Sequence, residues 1–356
     1  MRIYKALLFC ILVIGVIYSC SESNDNVDFT LDSFCDTVNI GVGNAYKSDS
    51  LFLVNPRWIR YHPDSFLIIQ ELRSPKMITV LDLKSNGIQK LISKGKGPGE
   101  MLSAWGIEIQ GNILFVFCSQ LRKVIKLSPD AERKFQILDE YLLDEKQTSK
   151  FYPLTGELSV CLSDIGDESR LVYLTKEGKL IKKFGDYPPL LNRNEVKPDN
   201  DIFASYISAI PNGSKFAVVC AYTDIIEIYD IENGLEKRIH GPLGINLEAH
   251  YVKVGPGRMT RRVPAYLTYC MVDAGLNEFM TGLVSYKGEK NKGPQLIEAY
   301  PKKILCFDWN GKPLRIFNLE FPIFTFDMDW KNKILYTVKC ADESPEIVSF
   351  SLKDIL

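Results

Sequence analysis

One pattern occurs six times along this chain, and it restricts the fold more than any other feature of the sequence. Each copy contains an apolar strand pattern that follows a tight turn rich in Pro, Asn, Asp or Gly. These strand patterns are FLIIQEL at residue 66, NILFVFC at 112, ELSVCLS at 157, KFAVVCA at 215, EFMTGLV at 278 and KILYTVK at 333. A similarity that recurs about every 45 to 60 residues indicates a repeat architecture whose copies pack side by side.

Each copy predicts four β-strands, because a second hairpin follows the first, as in ITVLDLKSNGIQKLI at 78–92. Two hairpins per copy make a four-stranded antiparallel blade, and six copies predict an all-β, six-bladed β-propeller. The sixth copy ends near its third strand, which would leave an open sheet edge. We therefore expect the segment FCDTVNIGV at 34–42 to close the ring as an added N-terminal strand.

The first residues have the composition of an export signal. Arg2 and Lys5 precede an apolar run at 6–18 that is too short to span a bilayer. The run ends in IYSC, which resembles the lipobox of bacterial lipoproteins, in which the cysteine is acylated and becomes the mature N terminus. This resemblance implies a signal peptide at 1–19 and a lipid on Cys20 that anchors the protein to the membrane of the bacterial cell envelope. An ordinary cleaved signal, or an apolar stretch that stays attached, is the alternative, and either would also take the protein out of the cytosol.

The residues after the lipobox predict a linker. SESNDNVD, which begins at residue 21, is polar and acidic and has no periodic apolar positions. The predicted organisation is therefore a signal peptide at 1–19, an acidic flexible tether at 20–33 and the propeller at 34–356.

The Gly- and Pro-rich stretch GKGPGE at 95–100 does not fit a phosphate-binding loop. Gly97 and Pro98 follow Lys96 where a Walker loop needs Ser or Thr, and the next pattern predicts strands and not a helix. The stretch is similar to a G-x-G-P-G-E/D box of the six-bladed, TolB-like propeller lipoproteins, relatives of the NHL-repeat propellers. With the six copies and the lipobox, this resemblance covers 34–356 and implies the fold but no particular activity. We interpret the box as a bend between blades 1 and 2, and we keep Lys96 and Glu100 as candidates for ligand contact.

The predicted blades sort their connections onto two faces. Turns within the hairpins are short and share one face, which we call the short-turn face. The other connections are long and share the opposite, long-loop face; examples are the segments at 185–203 and 241–266. Long loops on a rigid scaffold are where binding residues concentrate, so the sequence predicts binding at the long-loop face. The alternative is that these loops are merely tolerated insertions.

Two groups of side chains on the long-loop face are candidates for binding. An aromatic residue recurs where each long loop enters an inner strand, where it could grip a ligand or pack blade against blade. These residues are Trp58, Trp105, Tyr152, Tyr206, Tyr269 and Phe326. Positive charge is densest in GPGRMTRR, and guanidinium groups suit carboxylate, sulfate or phosphate ligands, although solvated loop charges are the alternative. These residues are Arg258, Arg261 and Arg262.

Other kinds of site find little support in the sequence. A formal net charge of -1 gives no reason to expect nucleic-acid binding. No C-x-x-C occurs, and the acidic loop SDIGDES at 163–169 lacks the spacing of an EF-hand, so we expect no metal and no cofactor. The three histidines, His62, His240 and His250, have no partner spaced for a metal site or a catalytic triad, and we assign no catalytic residue.

Together these features predict a membrane-anchored, non-catalytic binding or interaction propeller that presents its long-loop face to a peptide, a glycan or an envelope protein. The alternative is a periplasmic or surface hydrolase or lyase that acts on polysaccharide or peptide through carboxylates such as Asp186 or Asp201 with Asp224. A purely structural member of an envelope complex is a third possibility. Two carboxylates that converge in a deep central pocket would favour the enzyme, and a shallow aromatic and arginine surface would favour binding.

Overall fold

The computed structural model describes residues 27–47, 51–144, 150–163, 166–255, 257–263, 267–284, 300–340 and 345–356. The predicted signal peptide, Cys20 and residues 20–26 of the tether lie outside these ranges. The described part contains one short 3-10 helix, Leu31–Ser33, and otherwise β-strands joined by turns and loops.

The strands are numbered in chain order. Two precede the first blade, β1 (Asp36–Asn39) and β2 (Asn44–Ala45). Blade 1 contains β3 (Pro56–His62), β4 (Phe66–Glu71), β5 (Lys76–Asp82), β6 (Ile88–Lys94) and the two-residue β7 (Glu100–Met101). Blade 2 contains β8 (Gly106–Gln110), β9 (Ile113–Cys118), β10 (Lys123–Pro129) and β11 (Phe135–Leu142). Blade 3 contains β12 (Phe151–Pro153), β13 (Leu158–Leu162), β14 (Leu171–Thr175) and β15 (Leu180–Phe184).

The second half of the chain continues the pattern. Blade 4 contains β16 (Ser205–Ala209), β17 (Lys215–Cys220), β18 (Ile225–Asp230) and β19 (Gly234–His240). A separate hairpin follows, made of β20 (Glu248–Val254) and β21 (Gly257–Val263). Blade 5 contains β22 (Tyr269–Ala274), β23 (Glu278–Leu283), β24 (Lys303–Asp308) and β25 (Pro313–Asn318). Blade 6 contains β26 (Ile323–Asp329), β27 (Ile334–Lys339) and β28 (Glu346–Ser351).

The blades form a closed ring. The consecutive strands of each blade pair antiparallel with their neighbours, except that the two-residue β7 pairs parallel with β6. The first strand of each blade contacts the first strand of the next, in the order β3, β8, β12, β16, β22, β26 and back to β3. These six inner strands therefore surround a central channel, and the predicted six-bladed propeller is confirmed.

The N terminus closes the ring, as predicted, but it does so in two places. β1 pairs parallel with β25 and adds a fifth strand to blade 5, with Asp36 opposite Arg315. β2 pairs antiparallel with β28 and supplies the fourth strand of blade 6. The segment at 34–42 thus covers blade 5, and the residues that complete blade 6 lie just beyond it. Gly43 permits this course because its φ is +68° and a Cβ there would collide with side chains of β28.

The core lies between the blades. Every residue of β4 is buried, and its sequence FLIIQE is nearly continuous in apolar side chains. A middle strand is apolar on both faces because a neighbouring blade covers each face. Outer strands alternate less strictly: in β11, the side chains of Ile137 and Leu138 are exposed.

The described residues of the predicted tether, 27–33, are folded onto blades 4 and 5. Phe29 is buried, and its ring centroid lies 5.2 Å from that of Phe307. The backbone N–H of Asp28 donates to the carbonyl of His240 at 2.7 Å, and the N–H of His240 donates to the Asp28 carboxylate at 2.8 Å. A single aromatic residue in an acidic stretch has no periodicity, so the sequence pattern did not indicate this attachment.

Candidate functional site

The central channel opens on the short-turn face into a cavity of about 670 Å³. The residues that line it include Arg60, Glu108, Asp273 and Asp327, one from each of four inner strands. We call this cavity the acidic mouth and define it by these four residues. Three carboxyl groups thus lie close to one guanidinium group.

Arg60 holds two of these carboxylates. Its Nε and Nη2 donate to Glu108 Oε2 at 2.9 Å and Oε1 at 3.2 Å, which is a bidentate pair. Its Nη1 lies 3.5 Å from Asp327 Oδ1, and the other oxygen of Asp327 accepts the N–H of Tyr61 at 2.6 Å. Asp273 Oδ2 accepts the indole N–H of Trp330 at 2.9 Å.

The environment favours the protonated form of these acids. Burial raises the pKa of Glu108, Asp273 and Asp327, although the charge of Arg60 opposes the rise in each case. The rise is largest for Asp327, because the negative charge of Asp273 adds to the effect of burial.

A narrow throat separates the acidic mouth from the long-loop face. The rings of Trp58 and Tyr206 meet edge to face with centroids 5.6 Å apart. The Lys150 Nζ lies 4.3 Å from the Trp58 ring centroid and 5.1 Å from that of Tyr206. The space between these side chains and the Arg60–Glu108 pair is about 10 Å³, which is room for about one water molecule.

The other end of the channel has the opposite charge. Two adjoining cavities of about 340 and 210 Å³ open on the long-loop face and share Arg57, Trp58 and Tyr206 in their walls. Trp105, which is 40% exposed, and Lys150 complete the larger of the two. We define the cationic mouth by these five residues. Its described lining contains no Asp or Glu.

The two cations of this mouth lie near aromatic rings, and neither forms an ion pair with a carboxylate of the described residues. The Arg57 guanidinium carbon lies 5.6 Å from the Trp58 ring centroid, and Lys150 lies over both rings of the throat. Burial lowers the pKa of Lys150 to about 7; the charge of Glu108 opposes this, whereas the charges of Arg57 and Arg60 add to it.

The structure brings together three of the predicted aromatic residues. Trp58, Trp105 and Tyr206 all line the cationic mouth. Tyr152 faces the acidic mouth instead, with its hydroxyl 3.3 Å from Ser208 Oγ. The remaining two are buried away from both mouths: the Tyr269 hydroxyl donates to the carbonyl of Gly241, and Phe326 lies in the largest apolar cluster.

The predicted arginine loop is a β-hairpin, β20–β21. Arg262 pairs with Asp201 at 2.9 Å and lies over the ring of Tyr222 at 4.3 Å. Arg261 is exposed, and its backbone is opposite His250. Arg258 lies in β21, and its side chain is outside what the structure describes. Neither Arg261 nor Arg262 lines the described cavities of the channel.

The GKGPGE box is a hydrogen-bonded bend. The N–H of Gly97 donates to Glu100 Oε2 at 3.0 Å, and the N–H of Gly95 donates to the carbonyl of Met101 at 3.0 Å. Gly95 has no room for a Cβ because the Glu100 carboxylate occupies that position. Glu100 therefore has a structural role here, while Lys96 is exposed to solvent.

The loop-face carboxylates considered for catalysis have other partners. Asp224 is fully buried and accepts the N–H groups of Leu243, Gly244 and Ile245 at 2.6, 2.7 and 2.8 Å. Its other contact is His240 Nε2 at 2.9 Å. Asp224 thus holds the start of the 241–266 segment in place, and its pKa is lowered because these hydrogen bonds outweigh the effect of burial.

Sequence reasoning missed six channel residues: Arg57, Arg60, Glu108, Lys150, Asp273 and Asp327. The signal that could have found all of them except Lys150 is a charged residue within an inner strand that is largely apolar. Among the described residues, no three His, Cys, Asp or Glu side chains are grouped so that they could hold a metal ion. No helix in the described ranges is long and apolar enough to cross a membrane.

Comparison with known proteins supports the fold. A structure of a candidate exported protein from Bacteroides fragilis NCTC 9343 is 13% identical, with a TM-score of 0.51 over 88% of this chain and 98% of that one. A functionally unknown protein from Desulfotomaculum acetoxidans DSM 771 is 12% identical, with a TM-score of 0.44 over 73% of this chain and 71% of that one. At this identity the Bacteroides structure supports the fold alone, and no inference is drawn from the second structure. A search of the curated proteins finds no match.

The match to a protein family is more extensive. The model of the family described as TolB-like 6-blade propeller-like matches residues 34–331, which is well over half of the chain. The matched range begins at the residue where the sequence predicts the propeller to begin. The chain therefore belongs to the TolB-like six-bladed propeller family.

Proposed function

We propose that this protein is a non-catalytic binding propeller that holds an acidic glycan at its cationic mouth. The observation that carries the proposal is the position of Arg57 and Lys150 in the walls of an aromatic cavity, where neither forms an ion pair with a carboxylate that the structure describes. Sugar rings stack on exposed indole faces, and the carboxylate or sulfate of an acidic sugar suits a guanidinium group.

Arg57 differs from the arginines of this molecule that are held by a carboxylate. Each of six other arginines pairs with a carboxylate: Arg60, Arg133, Arg170, Arg238, Arg262 and Arg315. Arg57 forms no ion pair with any described residue, although it lies beside two open cavities. An anionic ligand would supply the missing counter-charge.

Calorimetric titration of the full chain in detergent tests this proposal. The ligands are tetragalacturonate, neutral maltotetraose and tetraglutamate, which separate an acidic sugar from a neutral sugar and from an acidic peptide. We expect tetragalacturonate to bind, and Arg57→Gln to weaken it about tenfold, because a hydrogen bond to a charged group contributes about 1.5 to 3 kcal/mol.

Arg193→Gln is the matched control, because Arg193 is an exposed arginine on the 185–203 loop that does not line the cavity. Equal affinity in Arg57→Gln and wild type would refute binding at the cationic mouth. Tighter binding of tetraglutamate than of tetragalacturonate would indicate that the ligand is an acidic peptide and not a glycan.

We also propose that Cys20 carries a lipid that anchors the propeller in the cell envelope. The IYSC motif supports this, and so does the name of the similar Bacteroides protein, which describes it as exported. The test is metabolic labelling with an alkyne analogue of palmitate. Wild type is expected to incorporate it, and a Cys20→Ser variant that still does so would refute the anchor.

The acidic mouth supports a second candidate function, hydrolysis or lyase cleavage of a polysaccharide. Its three carboxyl groups with raised pKa could provide a protonated acid beside an ionised base. A reducing-end assay on acidic and neutral polysaccharides tests this candidate. Activity lost in Asp273→Asn would support it, and activity that is absent from wild type, or unchanged in that variant, would remove it.

A further inference from the structure

We propose that Lys150 is a nucleophilic amine that takes up the carbonyl group of a 2-oxo acid, or of an aldehyde that carries a carboxylate, as an imine. This inference rests on the proposed function to the extent that such a ligand occupies the same cationic mouth. It adds a covalent step that glycan binding does not require.

The position of Lys150 makes its amine both desolvated and reachable. The side chain lines the enclosed throat together with Trp58, Tyr206 and the Arg60–Glu108 pair. It also lines the open cavity of about 340 Å³ on the long-loop face. A small carbonyl compound can therefore reach the amine from solvent, while two aromatic rings exclude water from the other side of it.

Lys150 has no counter-ion among the described residues. Other partly buried lysines do: Lys90 pairs with Glu71 at 2.6 Å and Lys123 with Glu140 at 3.3 Å. Lys150 instead contacts the faces of Trp58 and Tyr206. A lysine that is paired with a carboxylate stays protonated, whereas an unpaired, desolvated lysine releases its proton more easily.

The neighbouring cations also lower the pKa of Lys150, and only Glu108 among the charged groups that act on it raises the pKa. Burial lowers the pKa of Lys150 to about 7, the positive charges of Arg57 and Arg60 contribute to this, and Glu108 opposes it. About half of the amine is therefore neutral at pH 7, whereas an ordinary lysine with a pKa near 10.4 is almost fully protonated. A neutral amine beside other cations is the arrangement that favours Schiff-base chemistry.

Arg57 indicates why the carbonyl compound would carry a carboxylate. It lies in the wall of the same cavity, has no carboxylate partner in the described part of the chain, and can pair with the acid group of the ligand. The amine lone pair of Lys150 attacks the carbonyl carbon, and a proton moves from nitrogen to the carbonyl oxygen. The resulting carbinolamine loses one water molecule as the C=N bond forms, so the step needs no oxidant or reductant.

Reductive trapping tests the inference on the full chain. The protein is incubated with glyoxylate and sodium cyanoborohydride, which reduces the imine to a stable amine, and the modified lysines are identified by peptide mass spectrometry. We expect Lys150 to be labelled at least tenfold faster than the exposed Lys302 at pH 7, with a half-maximal rate near pH 7. Labelling of Lys150 that is no faster than that of Lys302 would overturn the inference.

Two comparisons separate this inference from the proposed function. Arg57→Gln should slow labelling by glyoxylate about tenfold more than labelling by neutral propanal, because only glyoxylate carries a carboxylate. Loss of the Arg57 charge also lets the pKa of Lys150 rise, and this slows both reagents alike. If the variant slowed labelling by both reagents equally, Arg57 would not bind the carboxylate of the ligand. Failure to label wild-type protein that still binds tetragalacturonate refutes the imine alone, whereas labelling without glycan binding refutes the proposed function alone.

Discussion

Replacing Lys150 by methionine should change how the stability of this protein depends on pH. The pKa of Lys150 is about 7 in the folded protein, against an ordinary value of 10.5. The unfolded chain therefore binds this proton more tightly, so wild type gains stability as the pH rises between about 7 and 10.5. Below pH 7 the contribution of Lys150 is constant and unfavourable.

The magnitude follows from linkage. Where Lys150 is neutral in the folded protein and protonated in the unfolded chain, the free energy of unfolding rises by about 1.4 kcal/mol per pH unit. Near pH 7 the folded protein is still partly protonated, so the rise from pH 7.0 to 8.5 is about 1.5 kcal/mol. Methionine retains the apolar contacts with Trp58 and Tyr206 but has no proton to lose. The free energy of unfolding of the variant minus that of wild type should therefore depend on pH. We expect this difference to be about 1.5 kcal/mol larger at pH 7.0 than at pH 8.5.

Urea unfolding followed by tryptophan fluorescence measures this difference in the full chain at both pH values. The other titratable groups are the same in both proteins, so their contribution cancels in the comparison. Parallel pH dependence in the two proteins would show that Lys150 titrates near its ordinary value, and the reasoning about the throat would then be wrong.

Three further predictions concern the fold, and urea unfolding at pH 7 checks each. Gly99→Ala should cost about 1 to 2 kcal/mol because its φ is +69°, whereas Gly156→Ala, in open space, should be nearly neutral; equal costs would contradict the bend. Arg170→Met should cost about 3 kcal/mol, since Arg170 and Glu227 are both fully buried at 2.6 Å; a loss under 1 kcal/mol would contradict this. Phe29→Ala should cost about 3 kcal/mol, and an unchanged stability would mean that residues 27–33 do not stabilise the propeller.

The architecture was predictable because a propeller blade is built from local hairpins. Each blade repeats the same alternation and turn chemistry, so the number of copies gave the number of blades. The two-residue strand Asn44–Ala45 was not predictable, because two residues carry no alternation. The hairpin β20–β21 was missed for a different reason: its strands, EAHYVKV and GRMTRRV, lie inside a segment that was interpreted as one long loop.

The charges of the channel were harder to predict. Arg60, Glu108, Asp273 and Asp327 lie up to 267 positions apart in the sequence, and only the ring brings them to one axis. Trp58 and Arg60 belong to the same strand but to opposite ends of the throat, so a two-residue step changes the mouth that a side chain faces. Lys150 precedes an inner strand and has no motif around it, so its low pKa depends entirely on tertiary contacts.

The most direct test of glycan binding at the cationic mouth is a crystal structure of the protein with an acidic disaccharide, such as digalacturonate. We expect the sugar to occupy the cationic mouth, with a carboxylate within ion-pair distance of Arg57 or Lys150 and a ring stacked on Trp105. A disaccharide bound in the acidic mouth, or only on the hairpin beside Arg261, would contradict it.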